Sequence, residues 1–216
     1  MKKLHYIFIL ASLLFTFSCK EDLTSEGVSR VTTYVKLTMT GENFMSIPVG
    51  SSYTEPGIAA KEGETTVDVT TTGTVDTSKP GVYTISYGAT NKDGFPVSED
   101  RIVCVYDATA AANDFSGNYA RTSNGSVAVW KKVAPGMYTV NNPGGAPGTN
   151  LTIHVFNPTG NILRVPSQVS SDGSITSAVN ATGGDEITMN PGPPASYLWI
   201  ILNPGYGTGK RTFNKQ

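Results

Sequence analysis

Residues 76–87 read Asp-Thr-Ser-Lys-Pro-Gly-Val-Tyr-Thr-Ile-Ser-Tyr and set the architecture of the first half of the chain. Lys79-Pro80-Gly81 is a turn signal, because proline fixes φ and glycine accepts conformations that other residues avoid. Tyr83, Ile85 and Tyr87 follow at every second position, which places them on one face of a strand. An acidic residue and a turn before a strand-initial tyrosine are typical of a tyrosine corner, in which the hydroxyl bonds the upstream backbone.

The segments around this stretch repeat its strand-and-turn pattern. Strand-like runs are predicted at Thr32–Thr40, Met45–Val49, Thr65–Thr71, Val82–Thr90 and Arg101–Tyr106. Short alternating strands separated by Gly, Pro and Asn turns predict a β-sandwich over residues 31–107. Cys104 lies inside the apolar run 102–106, and we expect it to be a small buried hydrophobic residue.

Three segments of this region carry a family resemblance. Gly50–Gly57, Val75–Tyr87 and Arg101–Val105 resemble the bacterial surface protein Ig-like domain. That family is abundant in surface lipoproteins of Bacteroidota. The resemblance implies an Ig-like sandwich that acts as a spacer, and it implies no ligand.

The second half of the chain is also β-patterned. Residues 108–113 (Ala-Thr-Ala-Ala-Ala-Asn) form a short linker of small residues, too short for the flanking domains to tumble freely. Residues 114–216 contain eight or nine short strand-like runs without helical periodicity, which predicts an antiparallel barrel or sandwich. Phe115–Tyr119 and Val129–Lys132 resemble the C-terminal domain of a Bacteroidota lipoprotein family of unknown function. That family joins it to the same Ig-like domain, and the resemblance implies no activity.

The N-terminus has the order of charges and apolar residues of an export signal. Lys2 and Lys3 precede an apolar run of about a dozen residues, shorter than the ~20 needed to span a bilayer. Ser18-Cys19 ends the run and resembles the lipobox of bacterial lipoproteins, although Thr16 and Phe17 depart from the usual Leu and small residue. Residues 1–18 are therefore a predicted lipoprotein signal peptide, and residues 19–30 a lipidated Cys19 with a flexible tether. The alternative is an ordinary cleaved signal with an incidental cysteine.

The residues after Cys19 predict a destination. Lys20-Glu21-Asp22 resembles the export signal that sends Bacteroidota lipoproteins to the outer face of the outer membrane. We therefore expect a lipid anchor in the outer membrane, facing the cell exterior. A periplasm-facing lipoprotein is the alternative.

Composition and motifs argue against several function classes. The chain has a net charge of −1 and no basic tract, which argues against nucleic acid as a partner. No metal or phosphate motif is present, so no cofactor or metal is predicted. His154 is expected to face solvent on a strand, and Asp185-Glu186 to point to opposite faces of a strand, a poor acid/base pair. The sequence therefore predicts a protein that is not an enzyme.

Aromatic residues of the second domain are the remaining candidates for a binding site. Flat rings can stack on the apolar faces of sugars. Tyr197 and Trp199 share one strand face, opposite Leu198 and Ile200, and would point outward if the aliphatic face formed the core. Trp130 and Tyr206 complete the predicted ligand-binding set, with Tyr206 expected to be the most exposed because it lies on a Gly-rich loop. The alternative is that these rings pack inside the protein.

These features predict a cell-surface lipoprotein that binds without catalysis. The first hypothesis is an accessory role in polysaccharide binding and uptake, with polysaccharide and outer-membrane uptake proteins as possible partners. The alternative is a structural or adhesion lipoprotein that binds a protein partner and has no small-ligand site.

Overall fold

The described part of the chain, residues 31–216 of a computed structural model, is built almost entirely from β-strands. The predicted signal peptide, the predicted lipidation of Cys19 and the predicted tether lie outside the described residues. Residues 33–216 form one compact unit. An Ig-like sandwich is followed by an antiparallel barrel, which confirms the predicted fold class.

The sandwich has two sheets. One sheet has the order β1-β3-β4, with β1 (Val35–Met39), β3 (Ile58–Glu62) and β4 (Thr65–Thr66). The other has the order β2-β7-β6-β5, with β2 (Phe44–Pro48), β5 (Thr70–Thr72), β6 (Gly81–Thr90) and β7 (Pro96–Tyr106). β3 was not predicted, because Ala, Lys and Glu favour helix over strand. Its full register with β1 shows that tertiary pairing overrides that propensity.

The tyrosine corner forms as predicted. The Tyr83 hydroxyl donates a hydrogen bond to the Lys79 carbonyl at 3.0 Å. Asp76 Oδ1 accepts a hydrogen bond from the Ser78 hydroxyl at 2.6 Å and another from the Ser78 amide, and these bonds lower the pKa of the Asp76 carboxyl. The corner fixes the start of β6, so that Ile85 and the Tyr87 ring are buried inside the sandwich.

Arg101 lies in the interior of the sandwich, where its guanidinium joins several elements. Its Nη1 donates to the Glu42 carbonyl at 2.6 Å, and its Nη2 donates to the Thr40 carbonyl at 2.7 Å and the Gly57 carbonyl at 3.2 Å. Its Nε lies 3.0 Å from Glu55 Oε1. The buried charge is therefore paired and hydrogen-bonded, as burial requires.

The predicted linker forms a short helix, α1 (Ala108–Ala112). Asp107 caps it, because Oδ1 of Asp107 accepts from the Ala110 amide at 2.8 Å. The Asp107 amide donates to the Pro158 carbonyl at 2.9 Å, and Thr159 Oγ1 donates to Asp107 Oδ2. Three alanines extend the turn because alanine has the highest helix propensity. The segment is thus held against the barrel by its cap.

The barrel is an antiparallel wall of eight strand positions, filled by nine strands, that closes on itself. Its strands are β8 (Gly117–Arg121), β9 (Val127–Ala134), β10 (Met137–Asn141), β11 (Thr152–Thr159), β12 (Ile162–Val169), β13 (Ile175–Val179), β14 (Ile187–Asn190), β15 (Ser196–Leu202) and β16 (Arg211–Lys215). β16 pairs with β8 and closes the wall. β13 and β14 share one position between β12 and β15, so residues 180–186 leave the wall and return to it.

The sandwich and the barrel share an apolar contact. Ile102 and Cys104 of β7 pack with Phe156 of β11, and the half-buried Phe44 joins them. Cys104 is fully buried, its Sγ donates to the Gly136 carbonyl at 3.5 Å, and burial raises the thiol pKa to about 12. The prediction that Cys104 is a buried hydrophobic residue is confirmed.

Candidate functional site

Three of the four predicted ligand-binding aromatics lie in the interior of the barrel. Trp199 has no exposed surface, and Trp130 and Tyr197 are also buried. The Trp130 and Trp199 rings stack with centroids 5.8 Å apart, and the Tyr197 ring meets Trp199 edge-on at 4.6 Å. Trp130 Nε1 donates to the Tyr197 hydroxyl at 3.0 Å, and Trp199 Nε1 donates to the Pro143 carbonyl at 2.9 Å. Each polar ring atom of this set is satisfied inside the barrel.

The expectation that Tyr197 and Trp199 face outward is therefore wrong. They point inward with Ile201, while Leu198 and Ile200 lie half-buried on the outer face of β15. An eight-stranded barrel has an interior just wide enough for side chains, and large rings fill that space. Burial leaves no ring face of Trp130, Tyr197 or Trp199 for a sugar.

Tyr206, the fourth predicted residue, lies in the loop between β15 and β16, next to the loop that follows β10. It is half-buried and packs against the core, and the backbone of Gly144 lies against its ring. The Arg211 guanidinium lies 5.3 Å from the ring centroid on a cation–π contact. Burial of the Arg211 guanidinium lowers its pKa, and the nearby charge of Arg121 lowers it further. The Tyr206 ring is therefore packed between the core, Gly144 and Arg211 and does not form an open stacking surface.

His154 also differs from expectation, since it does not face solvent. Its ring stacks on Phe44 with centroids 3.9 Å apart, in the contact between sandwich and barrel. Burial lowers the pKa of His154, so the ring is neutral near pH 7. The His154 amide donates to Gln168 Oε1, and Gln168 Nε2 donates to the His154 carbonyl. The residue is a packing element.

Asp185 and Glu186 do not point in opposite directions as expected. They lie before β14, in the segment that leaves the barrel wall, and both bind Arg164. Glu186 Oε1 lies 2.6 Å from Arg164 Nη2, and Asp185 binds Nη1 of the same guanidinium. Both carboxylates are occupied by one cation. Among residues 31–216, no group of three or more His, Cys, Asp or Glu side chains could hold a metal ion.

A groove of about 460 Å³ lies between the sandwich and the barrel. The sandwich wall is β7, which contributes Ser98, Glu99 and Asp100. The barrel wall carries Val169 and Ile175, which face each other across β12 and β13 and are 62% and 55% exposed. The sandwich wall therefore carries two carboxylates, and the barrel wall carries two exposed aliphatic side chains beside the polar Ser167 and Gln168.

The aliphatic wall continues along the outside of the barrel. Outward-facing aliphatic side chains lie side by side on β12, β13 and β15. This aliphatic strip consists of Val169, Ile175, Val179, Leu198, Ile200 and Leu202. Val179 pairs with Ile200, and Leu202, which is 41% exposed, pairs with Ser177. Contiguous exposed apolar surface of this kind is typical of an interaction site.

The border of the strip is negatively charged. Asp172 lies in the exposed turn that joins β12 to β13, and hydrogen bonds from Ser174 lower the pKa of its carboxyl. Asp100 is exposed on the opposite wall of the groove. The residues that line the groove include no lysine or arginine. The groove therefore combines apolar surface with carboxylates and has no lysine or arginine in its lining.

Sequence reasoning missed these residues, although one signal was present. Val169 and Ile175 flank the turn signal Ser171-Asp172-Gly173 at positions that face the same side of the hairpin. Two aliphatic residues on one face of a hairpin indicate either core or an interaction surface. The inward-facing Thr176 and Ala178 show that they belong to the outer face.

Comparison with known proteins identifies the class of the sandwich. Residues 37–105 match the family model of the bacterial surface protein Ig-like domain, which confirms the predicted resemblance and indicates a location at the bacterial cell surface. The crystal structure of the lipoprotein BT2262 from Bacteroides thetaiotaomicron is similar, with 22% sequence identity and a TM-score of 0.36. That similarity covers 84% of this chain and 100% of that chain. No curated protein matches the sequence. Within residues 31–216, no helix is long and apolar enough to cross a membrane.

Proposed function

We propose that this protein is a non-catalytic, lipid-anchored protein of the cell surface that docks a protein partner on the aliphatic strip. The exposure of Val169, Ile175 and Leu202 on adjacent strands is the observation that carries this function. Leaving such side chains in water costs free energy that a partner's apolar surface would recover. The acidic border formed by Asp100 and Asp172 favours a partner whose apolar patch is edged by lysine or arginine.

The burial of Trp130, Tyr197 and Trp199 weighs against the polysaccharide hypothesis in its original form. An enzyme is also disfavoured, because His154 is a packing residue and the Asp185/Glu186 pair is occupied by Arg164. The alternative drawn from the sequence, adhesion through a protein partner, is the one the geometry supports best. The Ig-like sandwich then serves as a spacer and also supplies one wall of the groove.

Docking can be tested by site-specific photocrosslinking in the source bacterium. A photoreactive phenylalanine analogue at Leu202 is expected to crosslink a defined surface protein. The matched control is the same analogue at Val129, which is 43% exposed on the outer face of β9. Ile175→Lys should remove the crosslink from position 202, because it places a buried charge in the interface.

Equal crosslinking from positions 202 and 129, or a crosslink that survives Ile175→Lys, would contradict docking at the strip. Binding of purified protein to a panel of plant, host and microbial polysaccharides is measured in parallel. A polysaccharide that binds and is insensitive to Ile175→Lys would restore the first hypothesis at another surface.

The anchor is expected to lie on Cys19. Acylation of the thiol and cleavage before Cys19 should release residues 1–18. One long acyl chain contributes about 0.8 kcal/mol per buried methylene, so two or three chains make release from the membrane negligible. Mass spectrometry of the membrane-extracted protein should show an acylated N-terminal Cys19, and Cys19→Ser should leave the membrane fraction. An unmodified N-terminus at this position would contradict the anchor.

A further inference from the structure

The N-terminal half of β7, residues 96–101, has a free edge that faces the groove. β7 pairs with β6 along its whole length, from Pro96 to Tyr106. On its other side it pairs with β2 only from Ile102 onward, because β2 begins at Phe44. Within the described part of the chain, no strand follows β7 on that side between Pro96 and Arg101.

The direction of the backbone groups follows from the register. The Ile102 amide donates to the Asn43 carbonyl at 2.9 Å, and therefore points to the β2 side. Successive residues of a strand alternate the side to which their N–H and C=O point. The backbone groups of Ser98 and Asp100 thus point away from β6 and into the groove. Both residues are exposed.

The groove has the shape and walls to hold an extended chain at this edge. Five residues of β7 span about 17 Å of edge at the rise of a strand. Val169 and Ile175 form the wall opposite the Ser98 and Asp100 side chains, which point to the barrel side together with Ile102 and Cys104. Glu99 projects from the other face of β7. An added strand would therefore place one set of alternate side chains on aliphatic surface and the other set near a carboxylate.

We infer that the free edge of β7 at residues 96–100 binds an extended peptide by strand addition. The peptide alternates aliphatic and basic residues. This inference rests on the proposed docking function and names the chemistry of the partner. Main-chain hydrogen bonds to Ser98 and Asp100 give the affinity, and Val169 and Ile175 select aliphatic side chains, as in other cases of strand addition. Glu99 lies on the face of β7 that the second set of side chains would share, and its carboxylate selects lysine or arginine there.

Ser98 offers a matched pair of variants. Ser98→Pro removes the amide that faces the groove but breaks no bond to β6, because the Ser98 and Gly88 backbones form a non-hydrogen-bonded pair. Ser98→Ala keeps the amide and removes only the hydroxyl. The probe is a capped hexapeptide of alternating lysine and valine, and the control peptide replaces lysine with glutamate.

The lysine–valine peptide is expected to bind the full mature protein, and Ser98→Pro should weaken binding about tenfold or more while Ser98→Ala changes it less than about twofold. Amide hydrogen exchange provides a second readout that does not depend on a variant. Peptide binding should slow exchange at Ser98 and Asp100, whose amides are free, and leave Val97 and Glu99 unchanged, since their amides already bond β6.

Several results would overturn the inference. They are an absence of binding by the lysine–valine peptide, equal binding by the glutamate peptide, equal affinities of Ser98→Pro and Ser98→Ala, or unchanged exchange at Ser98 and Asp100. If the crosslink from Leu202 persists in Ser98→Pro and is lost in Ile175→Lys, the partner docks through side chains alone. The docking function would then stand without strand addition. If the crosslink from Leu202 persists in both Ser98→Pro and Ile175→Lys, the docking function and the inference are refuted together.

Discussion

Trp199→Ala is expected to lower the free energy of unfolding by about 3–5 kcal/mol, the usual cost of removing a buried tryptophan. The ring has no exposed surface and stacks on Trp130 in the middle of the barrel. Its loss leaves a cavity between Tyr197 and Phe213, which both contact the ring. It also leaves the Pro143 carbonyl without its indole donor. The loop that carries Pro143 should therefore loosen together with the core.

Chemical denaturation followed by circular dichroism measures this loss. Val129→Ala is the matched control, because Val129 lies exposed on the outer face of β9 and its truncation should change stability by less than about 0.5 kcal/mol. Trp199→Phe should fall between the two. If Trp199→Ala kept full stability and lost only binding to a polysaccharide, the ring would be a surface ligand and the buried position would be refuted.

Arg101→Met is expected to destabilise the sandwich by about 3 kcal/mol, because removing one partner of a buried charged network leaves the others unpaired. The carbonyls of Thr40, Glu42 and Gly57 lose their guanidinium donor. Methionine has a comparable length, so the loss reports the polar contacts more than the packing. Thermal unfolding of the variant should show a lower midpoint. An unchanged midpoint would mean that water replaces the guanidinium at no cost.

Glu55→Gln is the companion variant, and it separates charge from hydrogen bonding. Burial tends to raise the pKa of Glu55, but bonds from the Tyr53 hydroxyl and the Gly57 amide and the charge of Arg101 lower it below its ordinary value of 4.5. A depressed carboxyl pKa contributes stability above the unfolded-state value, and that stability is lost as the pH falls through the folded-state pKa. The wild type should therefore lose stability below about pH 4.5. Glu55→Gln should remove that part of the acid dependence.

The tyrosine corner and most strands could be predicted because their signals are local. Tyr83, Lys79 and Pro80 lie within five positions of one another, and their chemistry admits one arrangement. No local signal in the sequence says which face of a strand points toward the core. Alternation separates Tyr197 and Trp199 from Leu198 and Ile200, but it does not say which pair points inward. The closed eight-stranded wall decides this, since its interior accepts large rings.

The candidate site could not be predicted for a related reason. Asp100 and Val169 come from opposite walls of the groove and are far apart in sequence. The free edge of β7 exists because β2 runs parallel to it and begins only at Phe44. No local signal specifies a parallel pairing or the residue at which it starts. The sequence predicts a strand at Arg101 but not its interior position. That position follows from the alternation that also buries Val103 and Val105.

β13 and β14 occupy one place in the barrel wall, between β12 and β15. The length of the segment that joins them can therefore change without changing the register of the wall. Each half of that position is aligned by its own pairs with β12 and β15. Within the connecting segment, Asp185 and Glu186 are tied to the wall through Arg164 of β12, whereas Thr182, Gly183 and Gly184 are exposed and bond only within their own turn. An insertion at residues 182–184 is therefore expected to disturb the hydrogen bonds of that turn and to leave the pairs of β13 and β14 with β12 and β15 in register. A foreign peptide placed at Gly183-Gly184 would be displayed from the barrel wall while the barrel keeps its sequence of pairs.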